Sequence, residues 1–105
     1  MAKFYHLEIR IENDHGHHPD YRLWIDGELM CERTFWLEGD KFYIDENCAV
    51  KLTEGKHRAI LELLRRKPGR CQVLRLIVND IETKTNAIFK PQAVDGRHQV
   101  IDFTC

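Results

Sequence analysis

The sequence lacks the features that mark a nucleic-acid or membrane partner. Its 16 Lys and Arg residues balance 17 Asp and Glu residues, which leaves a net charge of −1. A nucleic-acid-binding domain shows a basic excess, so this balance argues against such a partner. No apolar run is long enough for a transmembrane helix, and the N-terminal MAKFYHLEIR lacks the apolar segment of a secretory signal. We therefore expect no nucleic acid, no membrane contact, and a protein that stays where it is synthesised.

Closely spaced cysteines are also missing. The four cysteines, Cys31, Cys48, Cys71 and Cys105, contain no Cys-x-x-Cys pair, which a zinc ribbon or knuckle would need. Their even number permits two disulfides, but no signal for an oxidising compartment supports them. Free, mostly buried thiols are the resulting prediction.

Catalytic signatures are absent as well. The chain has no GxSxG, HExxH, glycine-rich phosphate loop or Cys-His signature. We therefore predict that the protein is not an enzyme and that it needs no cofactor.

Short strand-like runs separated by turn residues make up most of the 105 residues. Apolar and polar residues alternate cleanly over residues 4–12, as in a strand with one buried face. Asp26-Gly27 between two apolar runs predicts a two-residue hairpin turn of type I′, with both residues at positive φ. Further turns are predicted at Gly39, Gly55, Gly69 and Gly96. Such spacing predicts one all-β domain, residues 1–105, folded as an antiparallel, jelly-roll-like β-sandwich of about eight strands.

The parity of the aliphatic residues predicts the core. The predicted core residues are Leu7, Ile9, Leu23, Ile25, Phe35, Phe42, Ile44, Val50, Leu52, Leu61, Leu76 and Val78.

Three large aromatic residues fall on the opposite parity of their strands. Trp24, Trp36 and Tyr43 project outward if the aliphatic side chains face the core. Clustered exposed aromatics mark a binding surface, and flat rings stack on sugar faces. The three residues are therefore candidate ligand-binding residues for a glycan or a protein. The alternative, in which these rings are core, stays open.

A histidine-rich loop over residues 13–20 is the candidate metal site. His15, His17 and His18 offer imidazole nitrogens, the commonest transition-metal ligands in proteins. The simpler interpretation is a solvated polar loop. Metal binding therefore ranks below the aromatic surface.

The middle of the chain also resembles known families. Residues 21–29 and 32–35, with 43–46 and 50–57, resemble small uncharacterised β-sandwich proteins of marine tailed phages. The order of strand, Asp-Gly, strand and Leu-x-x-Gly-x-His is similar to carbohydrate-binding modules of the jelly-roll type. The second resemblance implies sugar stacking on Trp24, Trp36 and Tyr43, although no calcium-ligand motif of such modules is matched.

Three functions follow as hypotheses. The first is a non-catalytic binding or structural domain, such as a virion component or host-interaction accessory protein. The second is a carbohydrate-binding module that uses the exposed aromatics, and the third is a small metal-binding protein. Self-association into a homo-oligomer stays open in all three.

Overall fold

The computed structural model describes residues 2–13, 18–36, 43–64, 71–91, 93–95 and 98–105. All regular elements in these ranges are β-strands. The strands are β1 (Lys3–Asn13), β2 (Asp20–Ile25), β3 (Glu28–Thr34), β4 (Tyr43–Leu52), β5 (Lys56–Leu64), β6 (Cys71–Asp80), β7 (Asn86–Phe89), β8 (Ala93–Asp95) and β9 (His98–Thr104). Within the same ranges there is no helix of the length and apolarity needed to cross a bilayer.

The strands form two antiparallel sheets. Sheet A has the order β4-β1-β6-β7, and sheet B has the order β3-β2-β5-β9-β8. The predicted all-β antiparallel sandwich is confirmed, with nine strands in the described ranges against the predicted eight or so. Among the described strands, three consecutive pairs are hydrogen-bonded neighbours, namely β2-β3, β6-β7 and β8-β9, and the other consecutive strands lie in different sheets.

The core lies between the two sheets. Strand β1 is central in sheet A, and its buried residues alternate with half-exposed ones along most of its length, as its period of two predicts. The buried apolar residues are Tyr5, Leu7, Ile9, Ile11, Tyr21, Leu23, Ile25, Phe35, Ala59, Leu61, Val73, Leu76, Val78, Ile101 and Phe103. Eight predicted core residues are in this set.

The other four predicted core residues lie at the edge of the core or outside the described ranges. Ile44, Val50 and Leu52 are only partly buried, although they pack against the core. Their strand, β4, is an edge strand of sheet A. Among the described residues it has a neighbouring strand, β1, on one side only. The remaining residue, Phe42, lies outside the described ranges, as do the turn glycines at 39, 69 and 96.

The Asp26-Gly27 turn has the predicted geometry. The φ angles are +50° for Asp26 and +80° for Gly27, and Ile25 pairs with Glu28 across the turn. Both residues are in the left-handed region that a type I′ turn requires, so the prediction is confirmed. The turn between β4 and β5 likewise has Gly55 at φ +119°.

Replacing Gly27 with valine is expected to destabilise the domain by roughly 1–3 kcal/mol. A Cβ atom at this position would meet nothing within 4 Å, so the loss comes from backbone strain at positive φ and not from crowding. Thermal unfolding of Gly27→Val and Gly27→Asn would measure it. Asparagine tolerates the left-handed region and should lose much less stability. Equal loss in both variants would contradict the assignment to backbone strain.

Candidate functional site

Two edge strands lie together on one flank of the sandwich. In the described part of the chain, β3 pairs only with β2, and β4 pairs only with β1. Glu46 of β4 reaches across to Arg33 of β3 and Tyr21 of β2, which places both edges on the same flank. We call this flank, between β3 and β4, the open side. Its length is that of β4, ten residues or about 33 Å.

A cleft of about 560 Å³ occupies one end of the open side. Strand β4 is at the edge of its sheet, so its half-buried side chains line this space as well as the core. The apolar lining is Ala2, Ile25, Met30, Ala49, Val50 and Leu52, and the polar lining is Asp26, Glu28, Lys51, Thr53 and His57. The cleft thus combines apolar side chains with charged groups of both signs.

His57, at the start of β5, is one of the polar residues that line this cleft. Its Nδ1 lies 2.5 Å from Oδ2 of Asp26, and its Nε2 lies 2.7 Å from the carbonyl oxygen of Thr53. Only 9% of the His57 side chain is exposed. Burial acts to lower the pKa of His57, but the hydrogen bonds to Thr53 and Asp26, with the negative charge of Asp26, raise it above its ordinary value.

A carboxylate is buried further along the open side. Glu46 is 5% exposed and accepts hydrogen bonds from the hydroxyl of Tyr21 and from Nε of Arg33, while Nη2 of Arg33 lies 3.1 Å from its Oε2. Burial, and then the hydrogen bond to Glu46, raises the pKa of Tyr21, so its hydroxyl stays protonated and donates. The cluster of Glu46, Tyr21 and Arg33 joins the two sheets on a flank where none of the described strands pairs across.

Glu46 is not among the site residues predicted from the sequence, although its position in the strand pattern gives a signal. It has the same parity as Ile44 and Cys48 on β4, which predicts a side chain that points into the sandwich. The polar triplet of residues 45–47 instead reads as a break in the strand. The structure continues the strand through it, because Arg33 and Tyr21 supply partners for the carboxylate.

The two cysteines on the open side, Cys31 and Cys48, are not reactive thiols. Cys31 and Cys48 are half-buried between the cleft and Glu46. Burial raises the pKa of Cys31 to about 11 and raises the pKa of Cys48 as well. Both are therefore protonated and poorly nucleophilic at neutral pH. No disulfide joins the four cysteines, all of which lie within the described ranges.

The three aromatic candidates do not share one surface. Trp24 is half-buried on the outer face of sheet B, where its Nε1 donates to Oε1 of Glu62 at 3.1 Å. Tyr43 is 45% exposed on the outer face of sheet A, with the Arg10 guanidinium 4.0 Å from its ring centre. The outer faces of two stacked sheets point in opposite directions. The single aromatic surface that parity predicts is therefore not formed by all three rings.

Trp36 is the most exposed of the three, at 62%. It follows β3, and its ring stacks on His18 with ring centres 4.0 Å apart. Strand β3 ends at Thr34 and β4 begins at Tyr43, and the contact between these strands places Trp36 and Tyr43 at the same end of the sandwich. Two of the three predicted aromatics are thus exposed at one end of the molecule.

The metal-site prediction falls mainly outside the described residues. His15 and His17 are in that part of the chain. His18 is described, and besides stacking on Trp36 its Nδ1 lies 3.2 Å from the carbonyl oxygen of Phe35. No group of three or more His, Cys, Asp or Glu side chains suited to a metal occurs among the described residues. Comparisons with protein-family models, with curated proteins and with solved structures give no significant match to this chain.

Proposed function

We propose that this domain is a non-catalytic binding module that takes an extended segment of a protein partner along the open side. The observation that carries the proposal is the cleft between two edge strands, with an apolar floor and charged groups at its margin. Edge strands offer unpaired backbone N–H and C=O groups, which an added strand can bond. Pockets beside such an edge then select the side chains of the added strand.

Strand β4 is the better of the two edges for an added strand. Its ten residues pair with β1 in an unbroken register, whereas the pairing of β2 with β3 shifts between Leu23 and Trp24. Such a bulge twists an edge and opposes further pairing. The half of β4 beside the cleft, residues 47–52, also contributes Val50 and Leu52 to its apolar lining. We infer that the partner segment pairs with this half of β4 and places an apolar side chain in the cleft.

Glycan binding is the second candidate, and the exposure of Trp36 favours it. A large flat ring that is 62% exposed suits stacking against a sugar face. His18 already holds the Trp36 ring from one side, which fixes its orientation. This candidate uses the end of the sandwich at Trp36 and Tyr43 instead of the cleft, so substitutions separate the two functions.

Selection from a library of extended peptides, with a glycan array in parallel, would test the proposal. Ala49 is an exposed residue of β4 that lines the cleft, and Ala87 is an exposed residue of β7, the opposite edge of the same sheet. We expect Ala49→Glu to weaken binding of a selected peptide about tenfold or more, which corresponds to ~1.4 kcal/mol. Ala87→Glu should leave binding unchanged, and so should Trp36→Ala.

Two results would count against the peptide-binding proposal. One is equal loss of affinity in Ala49→Glu and Ala87→Glu, which would show that the effect is not specific to the open side. The other is a glycan ligand, with no selected peptide, whose binding is lost in Trp36→Ala. That second result would support the carbohydrate alternative. Thermal unfolding of each variant would show that the lost binding is not lost folding.

A further inference from the structure

His57 contacts two groups that can only accept hydrogen bonds. One ring nitrogen faces the ionised carboxylate of Asp26 and the other faces the backbone carbonyl oxygen of Thr53, at 2.5 Å and 2.7 Å. A neutral imidazole carries one N–H and one lone pair, so it can bond only one of them. The imidazolium form carries two N–H groups and bonds both. Both contacts are therefore hydrogen bonds at the same time only when the ring is doubly protonated.

These two bonds join separate parts of the cleft wall. Asp26 is in the turn between β2 and β3, while Thr53 follows β4. Asp26 is held independently of His57, because its Oδ1 accepts a bond from the backbone N–H of Arg58 at 2.9 Å. Thr53 lines the cleft next to Leu52 and precedes His57 by four residues, so the bond from His57 spans the β4–β5 turn and links Thr53 to Asp26. Gly55 of the same turn is bonded separately to the backbone of Cys105, so loss of the His57 bond would release Thr53 and not the whole turn.

Of the charged groups around the ring, Asp26 is the one whose charge raises the pKa of His57. Glu28 of β3 and Lys51 of β4 line the same cleft. Cys105, after β9, interacts with Asp26, but burial is the main cause that raises the pKa of its thiol to about 11, so it is uncharged near neutral pH. From β9 itself, Phe103 places its ring centre 5.7 Å from that of His57. Arg58 of β5 is paired through its side chain with Asp102 of β9.

We propose that His57 is a pH-sensitive switch that fixes the shape of the cleft. Protonated, it bonds both Asp26 and Thr53 and holds these two residues of the cleft lining together. Deprotonated, it keeps the bond to the charged carboxylate of Asp26 and releases Thr53, because a lone pair then faces the carbonyl oxygen. The switch concerns the cleft itself and holds whether or not a partner binds there.

The sign of the pH dependence follows from the raised pKa. A histidine whose pKa is higher in the folded state stabilises that state fully below its unfolded pKa, about 6.5. The contribution is lost as the pH rises through the higher, native pKa. The His57 bonds should therefore hold Thr53 and Asp26 together most firmly below about pH 6.5, and the bond to Thr53 should loosen as the pH rises through the higher, native pKa of His57.

NMR titration of the histidine rings and the backbone amides would test the switch. We expect His57 to titrate above 6.5 and the amides of Leu52 and Thr53 to shift with the same midpoint. Over the same range their hydrogen exchange should quicken beyond the intrinsic rise with pH.

Two variants sharpen the test. Asp26→Asn keeps a residue that tolerates the positive φ of the turn but removes the charge, so the pKa of His57 should fall. His57→Gln should abolish the titration of the Leu52 and Thr53 amides. A His57 midpoint at or below 6.5 in the unmodified protein would overturn the proposal. So would amide shifts at Thr53 that do not follow that midpoint or that persist in His57→Gln.

Discussion

Replacing Glu46 with alanine is expected to lower the free energy of unfolding by about 3 kcal/mol. Glu46 is 5% exposed and accepts hydrogen bonds from Tyr21 and Arg33 of the facing sheet. Without the carboxylate, the Tyr21 hydroxyl, which belongs to a fully buried residue, has lost its acceptor. A buried donor without a partner is costly because it has also lost its water. Arg33 contributes less to the loss, since half of its side chain already reaches solvent.

Asp45 provides the matched control on the same strand. Its carboxylate forms a two-point ion pair with Arg10, at 2.8 and 3.0 Å, on the outer face of sheet A. Partial exposure of both side chains limits the value of this pair, so Asp45→Ala should cost roughly 1 kcal/mol or less. Urea denaturation of both variants gives the comparison. Equal losses would contradict the view that the inward carboxylate joins the sheets.

Replacing Leu76 with alanine is the second change with a large expected effect. Leu76 is fully buried on β6, where it pairs with Ile9 of β1 and Phe89 of β7. Removing three carbons there leaves a cavity between the sheets and should cost about 2–5 kcal/mol.

Leu74→Ala is the control for this cavity. Leu74 is two residues away on the same strand but is 39% exposed, so its truncation should cost roughly 1 kcal/mol or less. Chemical unfolding should therefore give a clearly lower midpoint for Leu76→Ala than for Leu74→Ala. Similar midpoints would mean that Leu76 is not part of a tightly packed core.

The fold was largely predictable because its strongest signals are local. The alternation over β1 predicts which side chains are buried, and Asp26-Gly27 predicts a turn that needs two positive φ angles. The order of the strands within the sheets was harder to predict. Short turn-like segments favour pairing of neighbouring strands, yet β1 pairs with β4 and β6 instead. Those pairings depend on burial across the whole sandwich, which no local pattern encodes.

The candidate site was harder to predict because it depends on contacts between distant residues. Parity identified Trp36 and Tyr43 as exposed, but it could not tell that Trp24 lies in sheet B while Tyr43 lies in sheet A. His57 appeared only within a turn motif. Its role depends on Asp26, which lies 31 residues earlier in the chain. Edge strands are likewise invisible in sequence, since a strand becomes an edge only when the sheet order is known.

Mapping a selected peptide onto the protein by NMR tests the binding proposal most directly. In a titration followed by ¹H–¹⁵N spectra, we predict that the largest shift changes fall on residues 28–31 and 47–53. Amides along β4 should also gain protection from exchange, as expected if the peptide adds a strand. Changes centred on His18, Trp36 and Tyr43, or on the opposite edge at β7, would contradict the assignment of the open side as the binding surface.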